Sequence, residues 1–206
     1  TTEINGNYAE WIGNPQAEYT LLYLHGGGYI MGGPETHRSM VRTLCQYANV
    51  RALLLDYRLA PENPFPAAVD DAEAAYDWLV ARGVAPEKMF VAGDSAGGGL
   101  SLALMLQLKA HDKIQPKAAA LLSPWTDLTA SGESAKTRAE RDPMIDINRM
   151  PEAVDFYCNG HPADDPLISP VFADLSGLAP LFVQVGTEEV LFDDATRLVT
   201  RATQAG

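Results

Sequence analysis

The chain has 206 residues, 47% hydrophobic, 8% aromatic and 20% charged, and its 15 Lys and Arg stand against 27 Asp and Glu for a net charge of −12. That hydrophobicity excludes a disordered chain, 17 Gly and 14 Pro are too few for a collagen, and the acidic balance argues against a nucleic-acid binder. A soluble globular protein is expected, with one core burying roughly 70% of the unfolded surface.

The N-terminal stretch TTEINGNYAEWIGN has neither the basic nor the apolar region of a signal peptide, and no strand is assigned before Tyr19. Continuous apolar runs then recur at 19–25 (YTLLYLH), 51–57 (RALLLDY), 88–93 (KMFVAG), 118–123 (AAALLS) and 181–186 (LFVQVG). Continuity, as opposed to alternation, predicts parallel strands covered on both faces. Between them, Val69, Ala72, Tyr76 and Leu79 repeat at helical spacing, with Asp70, Asp71, Glu73 and Asp77 read as a solvated opposite face. Residues 99–108 are apolar almost all round and predict a buried helix; Ala195, Leu198, Val199 and Ala202 predict an amphipathic one. Strands alternating with helices give an α/β fold, a mostly parallel sheet with helices on both faces. Residues 126–179 break this rhythm with Pro, Asp, Ser and Gly and a short helix near 151–157, and are expected to form a lid or cap-like insertion.

Cys45 and Cys158 have no partner spacing and read as isolated buried thiols, so neither a zinc site nor a disulfide is expected. No run approaches the roughly 18 apolar residues of a membrane span. A cytoplasmic location is the default expectation, although a signal peptide ahead of Thr1 stays open.

Ligands of open α/β sheets bind beyond the carboxyl ends of the strands, which directs attention to three strand-to-helix junctions. Gly93-Asp94-Ser95-Ala96-Gly97 follows one strand and opens the buried helix. A nucleophile on so sharp a turn requires small residues two positions away on each side, where strand and helix approach closely, so Ser95 is the candidate nucleophile. No dinucleotide or P-loop pattern is present. His25-Gly26-Gly27-Gly28-Tyr29 exposes consecutive N–H groups able to face an oxyanion, which the N–H of Ala96 would complete; His25 reads as a residue shaping this loop. At the third junction, Glu188, Glu189, Asp193 and Asp194 are all candidates for the acid by chain order. Asp193 and Asp194 read as helix-capping, and the choice between the two glutamates stays open.

The collinear motifs HGGGY at 25, DYRLAPE at 56, PFPAAVDDA at 64, GDSAGGG at 93, SPWTDL at 123, DPLISP at 165 and VGTEEVL at 185 resemble the hormone-sensitive lipase family of α/β-hydrolases, the HGGG carboxylesterases. The resemblance implies a single catalytic domain over 1–206, Ser95 as nucleophile, and Gly27, Gly28 and Ala96 as oxyanion-hole donors. It places the acid at Glu189, where most members have Asp. It also implies a catalytic His in a loop after one more strand, whereas His25, His37, His111 and His161 all precede Glu189. The chain is therefore expected to be incomplete, lacking the N-terminal cap, a first strand ahead of Thr1 and the last strand, with its base beyond Gly206.

The expected function is hydrolysis of short-to-medium carboxylic esters through a serine acyl-enzyme, with a small-molecule ester as partner and no metal or cofactor. The chain as given should be nearly inactive and should expose 181–185 as an edge through which a homodimer could form. The alternatives are a non-catalytic small-molecule binder of the gibberellin-receptor kind, which shares the resemblance, and an inert fragment.

Overall fold

The computed structural model describes residues 1–206. Its seven-stranded sheet has the order β1-β2-β4-β3-β5-β6-β7, formed by Thr2–Ile4 (β1), Asn7–Gly13 (β2), Tyr19–Leu24 (β3), Val50–Leu55 (β4), Met89–Asp94 (β5), Ala118–Leu122 (β6) and Leu181–Gln184 (β7). From β4 to β7 every neighbouring pair is parallel, while β1–β2 and β2–β4 are antiparallel.

The apolar runs become strands because both of their faces are covered. Leu21, Tyr23, Ala52, Leu54 and Ala92 point to one face, where they meet Val41 and Cys45 of helix α1, Pro34–Ala48. Leu22, Leu24, Leu53, Leu55, Val91 and Leu121 point to the other, beneath α2 (Ala67–Ala81), α3 (Ala96–Ala110) and α6 (Phe192–Ala205). Helix α3 is buried along nearly its whole length, which explains an apolar pattern with no polar face. No helix is long and apolar enough to cross a membrane, and both cysteines are buried free thiols.

Three expectations are corrected. The N-terminus is not strandless: β1 and β2 form a hairpin turning at Asn5 and Gly6, both with positive φ, and β2 continues the sheet beside β4. Asn-Gly is a strong sequence signal for this two-residue turn. Helix α1 was also missed, because only Pro34, Val41 and Cys45 are buried on its largely polar surface. Asp71 is not part of a solvated face. It is 4% exposed and accepts hydrogen bonds from the Arg58 guanidinium at 2.8–3.0 Å and from the Arg58 N–H at 2.9 Å.

Residues 126–179 contain α4 (Ser134–Thr137), α5 (Met150–Cys158) and two 3-10 turns. Leu128, Ile168, Val171, Ala173 and Leu175 of this segment are buried. Helix α5 lies beside the loop after β3: Tyr157 stacks on Tyr29 at 3.8 Å between centroids, and its carbonyl accepts from the Phe65 N–H at 2.8 Å.

Candidate active site at the strand ends

Ser95 joins β5 to α3 with φ 50° and ψ −122°, a conformation that non-glycine residues rarely adopt and that recurs at functional turns. The turn is over-determined by backbone bonds. The Ser95 N–H donates to Leu122 O at 2.9 Å, and the Ser95 carbonyl accepts from the N–H groups of Gly98, Gly99 and Trp125 at 2.9–3.1 Å. The flanking glycines are required by proximity: a Cβ on Gly93 would overlap the Gly97 carbonyl, and one on Gly97 would overlap the Leu24 carbonyl. The crossing of strand and helix leaves the half-buried Ser95 side chain at the C-terminal edge of the sheet.

The loop after β3 runs alongside. Gly27 and Gly28 both have positive φ, and the Gly27 carbonyl accepts from the N–H groups of Ile30 and Met31, closing a tight turn. No acceptor in the protein takes the N–H of Gly27, Gly28 or Ala96. Ala96 follows Ser95 directly, and the Gly26 N–H ties the loop of Gly27 and Gly28 to Asp94 at 3.1 Å, so the two segments that carry these unengaged donors meet at this strand end. Directly above this loop, a Cβ on Gly28 would stand 3.8 Å from Ala153 Cβ of α5.

His25 is completely buried and stacked on Tyr57 at 4.2 Å, with Nδ1 2.8 Å from the Gly26 carbonyl. Burial lowers its pKa to about 4, so the ring is neutral near pH 7. The other histidines are also engaged elsewhere. His37 meets Asp94, His111 meets Glu73, and His161 packs edge-on against Phe65. None of the four hydrogen-bonds Ser95.

Beyond β7 the two glutamates separate. Glu188 is exposed and pairs with Arg141 at 3.2 Å. Glu189 is half-buried and folds back, its Oε1 accepting from the Gly186 N–H at 2.7 Å. The ends of β5, β6 and β7 are laced together, since Ser95 N–H reaches Leu122 and Ser123 N–H reaches Gln184.

Asp193 and Asp194 lie in the first turn of α6 as expected but do not cap it, which corrects that part of the expectation: the cap position is Leu191, whose side chain makes no hydrogen bond, and Ser134 Oγ accepts from the Asp193 N–H at 3.0 Å. They tie α6 to the segment after β6. Asp193 accepts from the Ser134 N–H at 2.8 Å, and Asp194 Oδ2 accepts from the N–H groups of Thr126 and Asp127 at 2.8 Å each. Burial raises the Asp194 pKa to about 7 against the opposing effect of those donors. The engagement of Asp94 by Tyr23, Gly26 and His37 was also not foreseen; its only trace in sequence is its place beside Ser95.

Comparison with known proteins agrees with this geometry. A family described as alpha/beta hydrolase fold matches residues 21–206. An acetyl-hydrolase of Streptomyces hygroscopicus is 44% identical over 96% of the chain, and an esterase of Acinetobacter venetianus is 36% identical over 92%. The chain spans 67% and 63% of those two relatives' lengths. Among solved structures, EstE5 soaked with p-nitrophenyl butyrate superposes with a TM-score of 0.96 at 47% identity. An esterase of the bacterial hormone-sensitive lipase family does so at 0.97 and 48%. Each comparison covers all of this chain and 70% of the other. The chain belongs to the hormone-sensitive lipase family of α/β-hydrolases.

Proposed function

We propose that the protein hydrolyses carboxylic esters of short-to-medium acyl chain by a serine acyl-enzyme route. The observation that carries this reading is the strained Ser95, followed by the unengaged N–H of Ala96 and joined through Asp94 to the loop of Gly27 and Gly28, whose N–H groups are also unengaged. Ser95 Oγ attacks the ester carbonyl, whose oxygen becomes an oxyanion held by the three donors, each contributing about 3 kcal/mol to the transition state. Collapse expels the alcohol and leaves an acyl-serine, which water cleaves to release the acid. The reading uses no metal or cofactor.

The reading gives the role of proton acceptor for Ser95 to an imidazole, and none of the four histidines of the chain hydrogen-bonds Ser95. Glu189 is assigned as the carboxylate that orients it, supported by its half-buried position after β7 and by the surface pairing of Glu188. Helix α5 of the 126–179 segment is assigned as a cap over the oxyanion loop, on the strength of the Tyr29–Tyr157 stack. Two free thiols favour a cytoplasmic setting. Both relatives described above carry hydrolase names, so the binding-only alternative is set aside.

In the full-length protein, Ser95→Ala should reduce turnover of a nitrophenyl ester on the order of a millionfold. Undiminished hydrolysis would exclude the assignment. Strand β7 forms one edge of the sheet, with Phe182 63% exposed, and we assign that edge to pairing with a further strand. When residues 1–206 stand alone, a second copy should supply it. Sedimentation should then show a dimer, and a monodisperse monomer would overturn the pairing.

A further inference from the structure

One charged pair at these strand ends has no part in the reaction as described. Asp94 immediately precedes Ser95. Its Oδ1 accepts from the Tyr23 hydroxyl at 2.9 Å and from the Gly26 N–H at 3.1 Å, and its Oδ2 lies 3.2 Å from His37 Nε2 on α1. The other ring nitrogen of His37, Nδ1, is 2.8 Å from Thr36 Oγ1. The Gly33 carbonyl, 3.4 Å from the same Nδ1 and 2.8 Å from Thr36 Oγ1, can only accept. With acceptors at both nitrogens, the ring is arranged for the doubly protonated imidazolium.

Gly26 is thereby gripped from both sides. Its N–H is held by Asp94 and its carbonyl by the neutral His25. A side chain at Gly26 would overlap the Asp94 carboxylate, so the absence of a Cβ is what lets the carboxylate sit under the loop. Gly27 and Gly28, with their unengaged N–H groups, follow directly.

We propose that His37 and Asp94 are positioning residues for the oxyanion loop: imidazolium holds carboxylate, carboxylate holds the Gly26 N–H, and the next two N–H groups are thereby aimed. The proposal rests on the esterase reading for its catalytic consequence. The hydrogen bond to Asp94 raises the His37 pKa against the opposing effect of burial. The bonds from His37, Tyr23 and Gly26 keep Asp94 below the ordinary carboxylate range although burial works against them. The other groups around the pair are Tyr23 and Tyr57, both held neutral by burial, neutral His25, and Glu35 and Asp56, which gather near Gly33. Because the folded pKa of His37 is raised, the grip is complete below the unfolded imidazole's pKa and is lost as pH rises through the folded value.

Two measurements on the full-length protein test this. By NMR, the Gly26 amide should shift with the titration of His37 and become flat over that range in His37→Gln. In ester hydrolysis, His37→Ala should lower kcat ~10-fold with KM within about twofold, because the loop acts on the transition state. His37→Gln keeps an N–H donor for Asp94 and should restore most of kcat while removing the alkaline decline. A Gly26 amide indifferent to His37, or a His37→Ala effect on KM alone, would overturn the proposal. If Ser95→Ala leaves hydrolysis intact, the esterase reading falls, and the Gly26 titration alone decides whether the grip exists.

Discussion

The β5–α3 junction and the β7–α6 junction lie at the same end of the sheet but are built by opposite means. At the first, backbone rests on backbone: Gly93, Gly97 and the Leu24 carbonyl are so close that no side chain fits, and the Ser95 turn is fixed by main-chain bonds. At the second, side chains do the holding, with Glu189 on Gly186, Asp193 on Ser134 and Asp194 on Thr126 and Asp127. The contrast matches the work proposed for each place. A nucleophile and its oxyanion donors need geometry that does not change with pH, whereas an acid needs a carboxylate whose environment can be set. The Asp94–His37 pair is the exception, a titratable clamp inserted under the backbone-built junction.

Three substitutions sharpen that comparison. Glu189→Gln leaves the Gly186 contact an acceptor but removes the charge that would orient an imidazole. Ester turnover should fall on the order of ten-thousandfold, with little change in thermal stability, in steady-state assays paired with calorimetry. Gly97→Ala forces a methyl group into the Leu24 carbonyl and should cost about 3 kcal/mol of stability in denaturant titration. An unchanged midpoint would mean that the junction is less tightly packed than described.

Asp194 gives the third, and its sign is the reverse of an ordinary paired carboxylate. Its pKa is raised to about 7, so between roughly pH 4 and 7 the folded state keeps a proton that the unfolded chain releases. Its contribution is therefore present at low pH and lost as pH rises through the folded value. Asp194→Asn retains an acceptor for the two N–H groups without titrating, and should flatten this decline by about 4 kcal/mol in stability-versus-pH measurements. An unaltered slope would show that the carboxylate is already ionised at its two donors.

Much of this architecture was legible because the signals were local and strong. Five continuous apolar runs are the five parallel strands, and Gly93 and Gly97 mark the tight turn around Ser95. Weaker patterns were lost where the physics is long-range. The β1–β2 hairpin is short and half-polar, and α1 buries too few residues to stand out, although Asn5-Gly6 and Pro34 were available as markers. The two acidic helix positions misled because carboxylates in a first turn ordinarily cap their own helix. Here Asp193 and Asp194 reach partners some 60 to 70 residues away, at Ser134, Thr126 and Asp127, and spacing along the chain cannot reveal such pairings. Asp71 misled for the same reason, its Arg58 partner lying on the preceding loop.

The central proposal is that Ser95 is the nucleophile that the three N–H donors serve. Incubation of the full-length protein with a fluorophosphonate, followed by peptide mass spectrometry, tests this directly. One adduct is expected, on the peptide containing Ser95, formed in step with the loss of ester hydrolysis and absent from Ser95→Ala. Inactivation with the adduct on any other residue, or full hydrolysis by Ser95→Ala, would contradict it.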